Sequence, residues 1–364
     1  MAALAGLIGC FGCGAGSGTE KALPPGPSST DPPGDSVLYV ASARGDSVDA
    51  YRLDANGLLP ATPFSSIELL NPRRLTVSGK VLYVALDDRL VALELAADGS
   101  LPATATASTQ PVVLADYREM KVDNGMLYVA VPGRNSVTAF DLDDNGQLPP
   151  LESSSSSSFA TDYRSIELFN GFLYAVSISQ ARIDTFLLDV NGDIPDDFEP
   201  QVPSTLVSIA DDMVIRNGVL YVTDRSSPGI SAYEIKVNGL LPADPDSRTR
   251  DTEAYVHLLI NATATRIYAT GFNIGRVDAF DLDPVTGSLL SETPDASTFS
   301  DTASFPSRMV LASGVLYVAQ AGLDRVDAYV LGADGYPPPF PSSSTEAIAG
   351  SFPTDLAHYT PPQP

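Results

Sequence analysis

The sequence predicts an all-β protein, a β-propeller of seven four-stranded blades, from three observations. A segment close to Leu-Tyr-Val-Ala occurs seven times, at steps of 44, 45, 46, 47, 47 and 49 residues. Repeats of that length are typical of arrays of small units that bury their apolar surface against one another. Each repeat carries short strand-like runs bounded by Gly and Asn, and no segment has the pattern of a long amphipathic helix. The seven segments begin at Leu38, Leu82, Leu127, Leu173, Leu220, Ile267 and Leu316.

Every repeat has the same order of elements, four strands that we name A to D. In the second repeat, residues 74–77 predict strand A, residues 81–85 strand B and residues 90–95 strand C, with an Asp98-Gly99 turn before the short strand D. Asp-Gly and Asn-Gly turns favour tight antiparallel connections because both residues tolerate positive φ. Strand B is apolar on both faces, so each sheet needs a neighbour on either side. Antiparallel sheets stacked around an axis meet that need.

The ring is predicted to close through the C-terminal segment. No strand A precedes Leu38, whereas residues 352–359 resemble residues 71–77 of the second repeat and are followed by no further Leu-Tyr-Val-Ala segment. We therefore expect the last segment to supply strand A to the first blade. Such closure leaves no large unpaired sheet edge.

The first 35 residues differ in composition from the rest, which gives two predicted regions, 1–35 and 36–364. Residues 14–35 are rich in Gly, Ser and Pro and predict a flexible tether. The segment Leu7-Ile8-Gly9-Cys10 resembles the lipobox of a bacterial lipoprotein signal, which implies lipidation at Cys10 and a place in the bacterial cell envelope. The alternative is an unstructured N-terminus with two incidental cysteines, Cys10 and Cys13.

Composition limits the kinds of molecule that the protein is expected to bind. The formal net charge is −24, with 45 acidic and 21 basic residues, and such a field repels nucleic acid and anionic lipid. Any membrane contact is expected only through the N-terminal anchor, and the protein is expected to be a monomer. Trp is absent, which argues against a WD-type propeller.

The candidate site lies at the start of the A strands, because these strands line the central channel. Counting nine residues back from each repeat leucine gives Arg73, Arg118, Arg164, Asp211 and Ser307, and allowing one extra turn residue in the sixth repeat gives His257. Arginines converging in one sector suit a small anion. We therefore predict ligand binding by four arginines, and catalysis, if present, by His257 and Asp211. The four arginines are Arg73, Arg118, Arg164 and Arg308, which follows Ser307 in the chain. The alternative is that these Arg and Asp residues pair across blades and fill the channel.

No cofactor or metal is expected. Asp141, Asp143 and Asn145, with Glu152 further on, fit the EF-hand calcium pattern. Other repeats place ordinary C–D turns at the same position, and prolines interrupt this one, so calcium is not predicted there.

The repeats resemble the lactonase-like propellers, including the YVTN-repeat proteins. The resemblance rests on the Leu-Tyr-Val-Ala strand and on C–D turns such as residues 53–60, and it covers residues 36–360. It implies a seven-bladed propeller and places the chain beside phosphogluconolactonases, related lactone-processing enzymes and propellers without known chemistry. No His-containing motif of the enzymes can be matched here residue by residue. Two functions follow: a binding module for a small anion or for an envelope protein or glycan, and, as the alternative, a hydrolase of sugar-acid lactones. A propeller that has lost catalysis and keeps the anion site as a sensor lies between them.

Overall fold

The computed structural model describes residues 36–113, 115–156, 162–195, 205–207, 210–224, 228–250, 254–271 and 273–362. Residues 1–35, with the lipobox-like segment and Cys10, lie outside this range, so lipidation and the tether remain predictions. Within the described ranges no helix is long and apolar enough to cross a membrane.

The described residues form seven four-stranded antiparallel sheets, so the predicted all-β propeller is confirmed. Numbered in chain order, the strands of blade 1 are β1 Val37–Ser42, β2 Ser47–Arg52, β3 Ser65–Glu68 and the last strand, β28 Pro353–Tyr359. Blade 2 contains β4 Arg74–Ser78, β5 Val81–Ala85, β6 Leu90–Glu94 and β7 Ala107–Ser108. Blade 3 contains β8 Met120–Asp123, β9 Met126–Val131, β10 Ser136–Asp141 and β11 Ser154–Ser155, with a 3-10 turn at Pro132–Arg134.

The other four blades repeat this order. Blade 4 contains β12 Tyr163–Phe169, β13 Phe172–Ser177, β14 Arg182–Leu187 and β15 Thr205–Leu206. Blade 5 contains β16 Met213–Arg216, β17 Val219–Asp224, β18 Gly229–Glu234 and β19 Ser247–Arg248. Blade 6 contains β20 Tyr255–Ile260, β21 Arg266–Gly271, β22 Arg276–Asp281 and β23 Ala296–Ser297. Blade 7 contains β24 Pro306–Ala312, β25 Val315–Gln320, β26 Arg325–Val330 and β27 Ser343–Ser344, with a 3-10 turn at Ala321–Leu323.

The core lies between blades and not inside any one of them. Tyr39 of blade 1 belongs to the same buried cluster as Leu82 and Val84 of blade 2, and Tyr83 of blade 2 to that of Leu127 in blade 3. Strand B is buried on both faces because each face packs against a different neighbour. No blade can therefore bury its apolar surface alone, as the repeat predicted.

The predicted ring closure is confirmed. Strand β28 pairs antiparallel with β1, with Leu38 opposite His358 and Val40 opposite Leu356. The two ends of the propeller meet where this strand finishes, since the Ser36 and Thr360 hydroxyl oxygens lie 3.4 Å apart.

A repeated hydrogen bond joins each blade to the next. The hydroxyl of the tyrosine in strand B donates to the carbonyl oxygen of the glycine in the following blade's C–D turn. This glycine has positive φ. In most of these turns a Cβ built on the glycine would lie within about 3 Å of the tyrosine hydroxyl oxygen or of a side chain beside it. The pairs are Tyr39–Gly99, Tyr83–Gly146, Tyr128–Gly192, Tyr174–Gly239, Tyr221–Gly287, Tyr268–Gly335 and Tyr317–Gly57.

Candidate functional site in the central channel

The strand registers align the channel positions of all seven blades. The residue paired with the third position of each Leu-Tyr-Val-Ala segment is apolar, as with Leu75 opposite Val84 and Leu258 opposite Ala269. The residues immediately before it form what we call the inner layer: Arg74, Glu119, Ser165, Asp212, His257, Arg308 and Asp355. The residues one further back, nearer the D–A loops, form the rim layer: Arg73, Arg118, Arg164, Asp211, Val256, Ser307 and Thr354.

The prediction that His257 is level with Arg73 is wrong by one position. Ile260 pairs with Ile267, which leaves six residues in the A–B turn of blade 6, whereas Ser78 pairs with Val81 in blade 2 and leaves two. The turn of blade 6 is thus four residues longer, but strand A is one paired residue shorter there, and the pairing of strand B begins at Ile267 itself, whereas in blade 2 it begins one residue before the repeat leucine. The net offset is two residues, and the prediction allowed one. Val256 therefore occupies the rim position, and His257 belongs to the inner layer.

The three rim arginines each have a local carboxylate partner. Arg73 Nε lies 2.7 Å from Asp87 Oδ1, Arg118 Nη2 3.0 Å from Asp116 Oδ2, and Arg164 Nε 3.1 Å from Asp162 Oδ1. Their side chains are 24–34% exposed, at the mouth formed by the D–A and B–C loops. Burial lowers the pKa of Arg164, but the hydrogen bond from Arg164 to Asp162 and the negative charge of Asp211 raise it overall. Asp211 therefore lies in the same sector as Arg164. The rim arginines of blades 2 to 4 are therefore paired charges.

Arg308 crosses the channel. Its Nη2 donates to Glu119 Oε2 of blade 3 at 2.8 Å, and its Nη1 lies 3.7 Å from Asp212 Oδ2 of blade 5. Burial opposes the charge on Arg308, but Glu119 and Asp212 outweigh it and raise the pKa of the guanidinium. Burial likewise raises the pKa of Glu119, and Arg308 and Lys121 more than offset this, so Glu119 stays ionised. The side chain that was predicted as a ligand contact is thus also a bridge between three blades.

Arg74 is the exception in this layer. Its Nη1 donates to the Arg73 carbonyl oxygen at 2.8 Å, its Nε is buried with no hydrogen-bond partner, and no carboxylate of the described residues forms an ion pair with it. Burial and the positive charge of Arg308 lower its pKa to about 10, although Asp355 and Glu119 act in the opposite direction. A guanidinium with unused donors in a partly dry site favours the arrival of an anion.

His257 is neutral and only partly bonded. It is 8% exposed, and burial together with the positive charge of Arg308 holds its pKa well below the ordinary value. Its Nδ1 has no partner, and its Nε2 lies 3.8 Å from Asp212 Oδ2, which is too far for a hydrogen bond. Asp212 itself is held by the Ser165 hydroxyl at 2.8 Å and the Leu258 amide at 2.9 Å.

A second ion pair lies deeper, which the sequence analysis missed. Lys121 Nζ is 2.8 Å from Glu167 Oε1 and 3.6 Å from Glu119 Oε1. Burial raises the pKa of Glu167 to about 7 despite Lys121. Both residues follow an inner-layer position by two, so strand alternation alone places them on the same side of their strands. That period was the available signal.

The EF-hand-like residues already have other partners. Asp143 Oδ1 accepts hydrogen bonds from the Asn145 and Gln147 amides, and Glu152 forms a two-point ion pair with Arg134. Among the residues that the structure describes, no group of three or more His, Cys, Asp or Glu side chains is placed to hold a metal ion.

Solved structures with the same fold include proteins connected with lactones. A protein from Bacteroides uniformis that is described provisionally as a 6-phosphogluconolactonase has a TM-score of 0.74 at 16% identity, covering 89% of this chain and 100% of that chain. The periplasmic gluconolactonase of Pseudomonas aeruginosa has a TM-score of 0.74 at 16% identity, covering 90% and 99%. A protein from Lactobacillus plantarum has a TM-score of 0.71 at 11% identity, covering 89% and 99%.

No protein-family model matches the sequence, and no curated protein matches it. The chain therefore has the fold of the lactonase-like seven-bladed propellers, and its chemistry has to be argued from its own channel.

Proposed function

We propose that the channel mouth binds a small organic anion. The observation that carries this proposal is Arg74, a cation in the inner layer with unused donors and no carboxylate partner among the described residues. Arg308 lies close enough to lower its pKa. A carboxylate or phosphate entering from the mouth would relieve the repulsion between these two guanidiniums and accept two parallel hydrogen bonds from Arg74.

The class of anion that we favour is a sugar acid. The neutral His257 ring lies in the same layer as Arg74, and its unpartnered Nδ1 offers a hydrogen bond to a ligand hydroxyl group. Two structures with this fold carry names that refer to gluconolactone or 6-phosphogluconolactone. Hydroxyl groups around one carboxylate fit a site that mixes cations with neutral polar groups.

Titration calorimetry with gluconate and 6-phosphogluconate tests the proposal. Wild type is expected to bind at least one of them, and Arg74→Gln to weaken that binding by about tenfold or more, since a charge-assisted pair is lost. Arg52→Gln is the matched control, because Arg52 is an exposed arginine paired with Asp98 away from the channel. Equal affinities in wild type and Arg74→Gln, or no binding of either acid, would refute the proposal.

Lactone hydrolysis is the second candidate, favoured by the unpartnered Nδ1 of neutral His257. In this scheme His257 takes a proton from water, the oxygen of that water attacks the lactone carbonyl carbon, and the ring C–O bond breaks as His257 returns the proton to the leaving alkoxide. Arg74 or Arg308 would stabilise the oxyanion. Gluconolactone and 6-phosphogluconolactone should then open faster than in buffer, and His257→Gln should remove the acceleration while gluconate, held by Arg74, still binds. An unchanged rate in that variant would rule out this role.

We also propose that the protein is exported and anchored by a lipid on Cys10, which rests on the lipobox-like segment alone. Expression in a bacterial host with a labelled fatty acid should label the wild type and not Cys10→Ser, with Cys13→Ser as the control. Label retained in Cys10→Ser would contradict it.

A further inference from the structure

A cavity opens at the end of the channel opposite the mouth, between the A–B turns of blades 6 and 7 and the C–D turn of blade 7. Its volume is about 800 Å³, and its lining extends to Thr360 at the end of the closing strand. Binding sites for small molecules span roughly 300–1,000 Å³, with mostly apolar walls and a few polar groups. The cavity has the size of such a site and is not used by the proposed mouth site.

The cavity wall combines apolar residues with polar ones such as Asn261 and Ser313. Leu259 and Ile260 come from β20, Val310 and Leu311 from β24, and Leu331 from the turn after β26. Leu259, Leu311 and Leu331 pack against the buried cluster between blades 6 and 7 and are only partly covered. Leu259 and Val310 each follow an inner-layer residue, His257 and Arg308, by two positions. The inner layer therefore separates these apolar residues of blades 6 and 7 from the charged mouth.

One cation faces this cavity without a carboxylate partner. Arg216, the last residue of β16, lines the cavity and donates through Nη2 to the Ala262 carbonyl oxygen. Its Nε is buried and has no hydrogen-bond partner, and no ion pair joins it to a carboxylate of the described residues. In a chain of net charge −24, an arginine left unpaired beside these apolar residues selects for an anionic group on the occupant.

We propose that this cavity is a second ligand site, for a molecule with an apolar body and one anionic group, such as a medium-chain carboxylate. The body would lie against Leu259, Leu311 and Leu331, and the anionic group would receive hydrogen bonds from Arg216. Burial of the apolar body supplies the affinity, roughly 25 cal/mol per Å² removed from water before the entropy of binding is subtracted. The charge on Arg216 supplies the preference for acids over alcohols or amines.

The first test uses 1-anilinonaphthalene-8-sulfonate, which joins an aromatic body to a sulfonate, with the full chain. Fluorescence titration should show saturable binding to wild type. Arg216→Gln should weaken it about tenfold or more. Ala333→Trp, at an exposed turn position on the lining, should block it without disturbing the core. Arg74→Gln and Arg52→Gln should leave it unchanged, which keeps this site distinct from the mouth. Far-UV circular dichroism must be the same for all variants, because Ala333→Trp adds an indole that by itself changes the near-UV spectrum.

The second test compares dodecanoate with 1-dodecanol as competitors. In wild type dodecanoate should displace the dye at a concentration at least about fivefold lower than dodecanol, and the difference should vanish in Arg216→Gln. Equal competition in wild type, or dye binding unaffected by both Arg216→Gln and Ala333→Trp, would overturn the proposal.

Discussion

The Tyr317 hydroxyl of blade 7 donates a hydrogen bond to the Gly57 carbonyl oxygen of blade 1 at 2.6 Å. It spans the junction at which the ring closes, and the same contact is present at all of the remaining junctions between neighbouring blades. The tyrosine of Leu-Tyr-Val-Ala and the glycine of the C–D turn, which in the sequence mark a strand and a turn, are thus two halves of one interface. The contact that holds the ring together therefore joins residues of two neighbouring blades and does not lie within one repeat.

The first prediction concerns this bond. Tyr83→Phe removes the donor to the Gly146 carbonyl and leaves that oxygen underused, so the free energy of unfolding should fall by about 1 kcal/mol. Tyr359→Phe is the matched control, because the Tyr359 hydroxyl is buried with no partner and its removal should cost nothing or stabilise slightly. Urea unfolding followed by fluorescence measures both. The interface account would be wrong if the two substitutions had the same effect.

Closure by the last strand makes a second prediction. A chain ending at Gly350 lacks β28, which exposes the edge of β1 and removes Leu356, Ala357 and Tyr359 from the two apolar clusters that β28 helps to fill. We expect it to be insoluble or to melt well below wild type. A chain ending at Pro362 should melt at the wild-type temperature. A full-length melting point in the chain ending at Gly350 would contradict closure by this strand.

The bridge made by Arg308 gives a third prediction. Arg308→Met leaves Asp212 in the inner layer without its cation and Glu119 with Lys121 alone, so it should destabilise the protein by about 3–5 kcal/mol. Adding Glu119→Gln should restore part of the loss, since one of the two carboxylates that Arg308 held is then removed. Arg52→Met, in an exposed pair with Asp98, should cost at most about 1 kcal/mol. Chemical unfolding checks all three, and additive effects of Arg308→Met and Glu119→Gln would contradict the bridge.

The fourth prediction is a pH dependence. The pKa of Glu167 is about 7 in the folded protein and lower when unfolded, so the folded state holds a proton that the unfolded state has lost between about pH 4.5 and 7. This group therefore makes the protein less stable as pH rises through that window, with no further change above it.

Glu167→Gln removes this dependence. Its unfolding free energy relative to wild type should rise between pH 4.5 and 7, by on the order of 1–3 kcal/mol. Glu94→Gln, at an exposed position on strand C of blade 2, serves as control and should show no such trend. A difference between Glu167→Gln and wild type that is flat across this window would show that the carboxyl is ionised throughout.

Most of the fold was accessible from the sequence because it depends on local patterns. The Leu-Tyr-Val-Ala period set the blade count, and the likeness between residues 352–359 and 71–77 set the closure. The Asp residues of strand C share a sequence position and accept hydrogen bonds from side chains, as Asp49 does from Ser47 and Ser66, and Asp327 from Arg325 and Ser344. Strand pairing decides those partners, and a single repeat does not reveal it.

The candidate site was less accessible because it depends on contacts between blades. Counting along the chain places Arg73, Arg118 and Arg164 at equivalent positions of three adjacent blades. It did not reveal their partners Asp87, Asp116 and Asp162, which come from loops whose course no period describes. The offset of His257 came from the length of one turn. Arg308 reaching Glu119 across 189 residues depends on the diameter of the channel, which only the closed ring defines.

The meeting of Ser36 with Thr360 has a consequence for how the chain can be rearranged. Since the two hydroxyl oxygens lie 3.4 Å apart, a short linker from Pro362 to Ser36 would make the propeller covalently circular. A new start in the loop before Arg74 would then make every blade continuous in sequence, including the one now shared between the two ends. Such a permuted protein would keep both openings of the channel and would offer its new ends on the mouth face, ready for fusion or immobilisation.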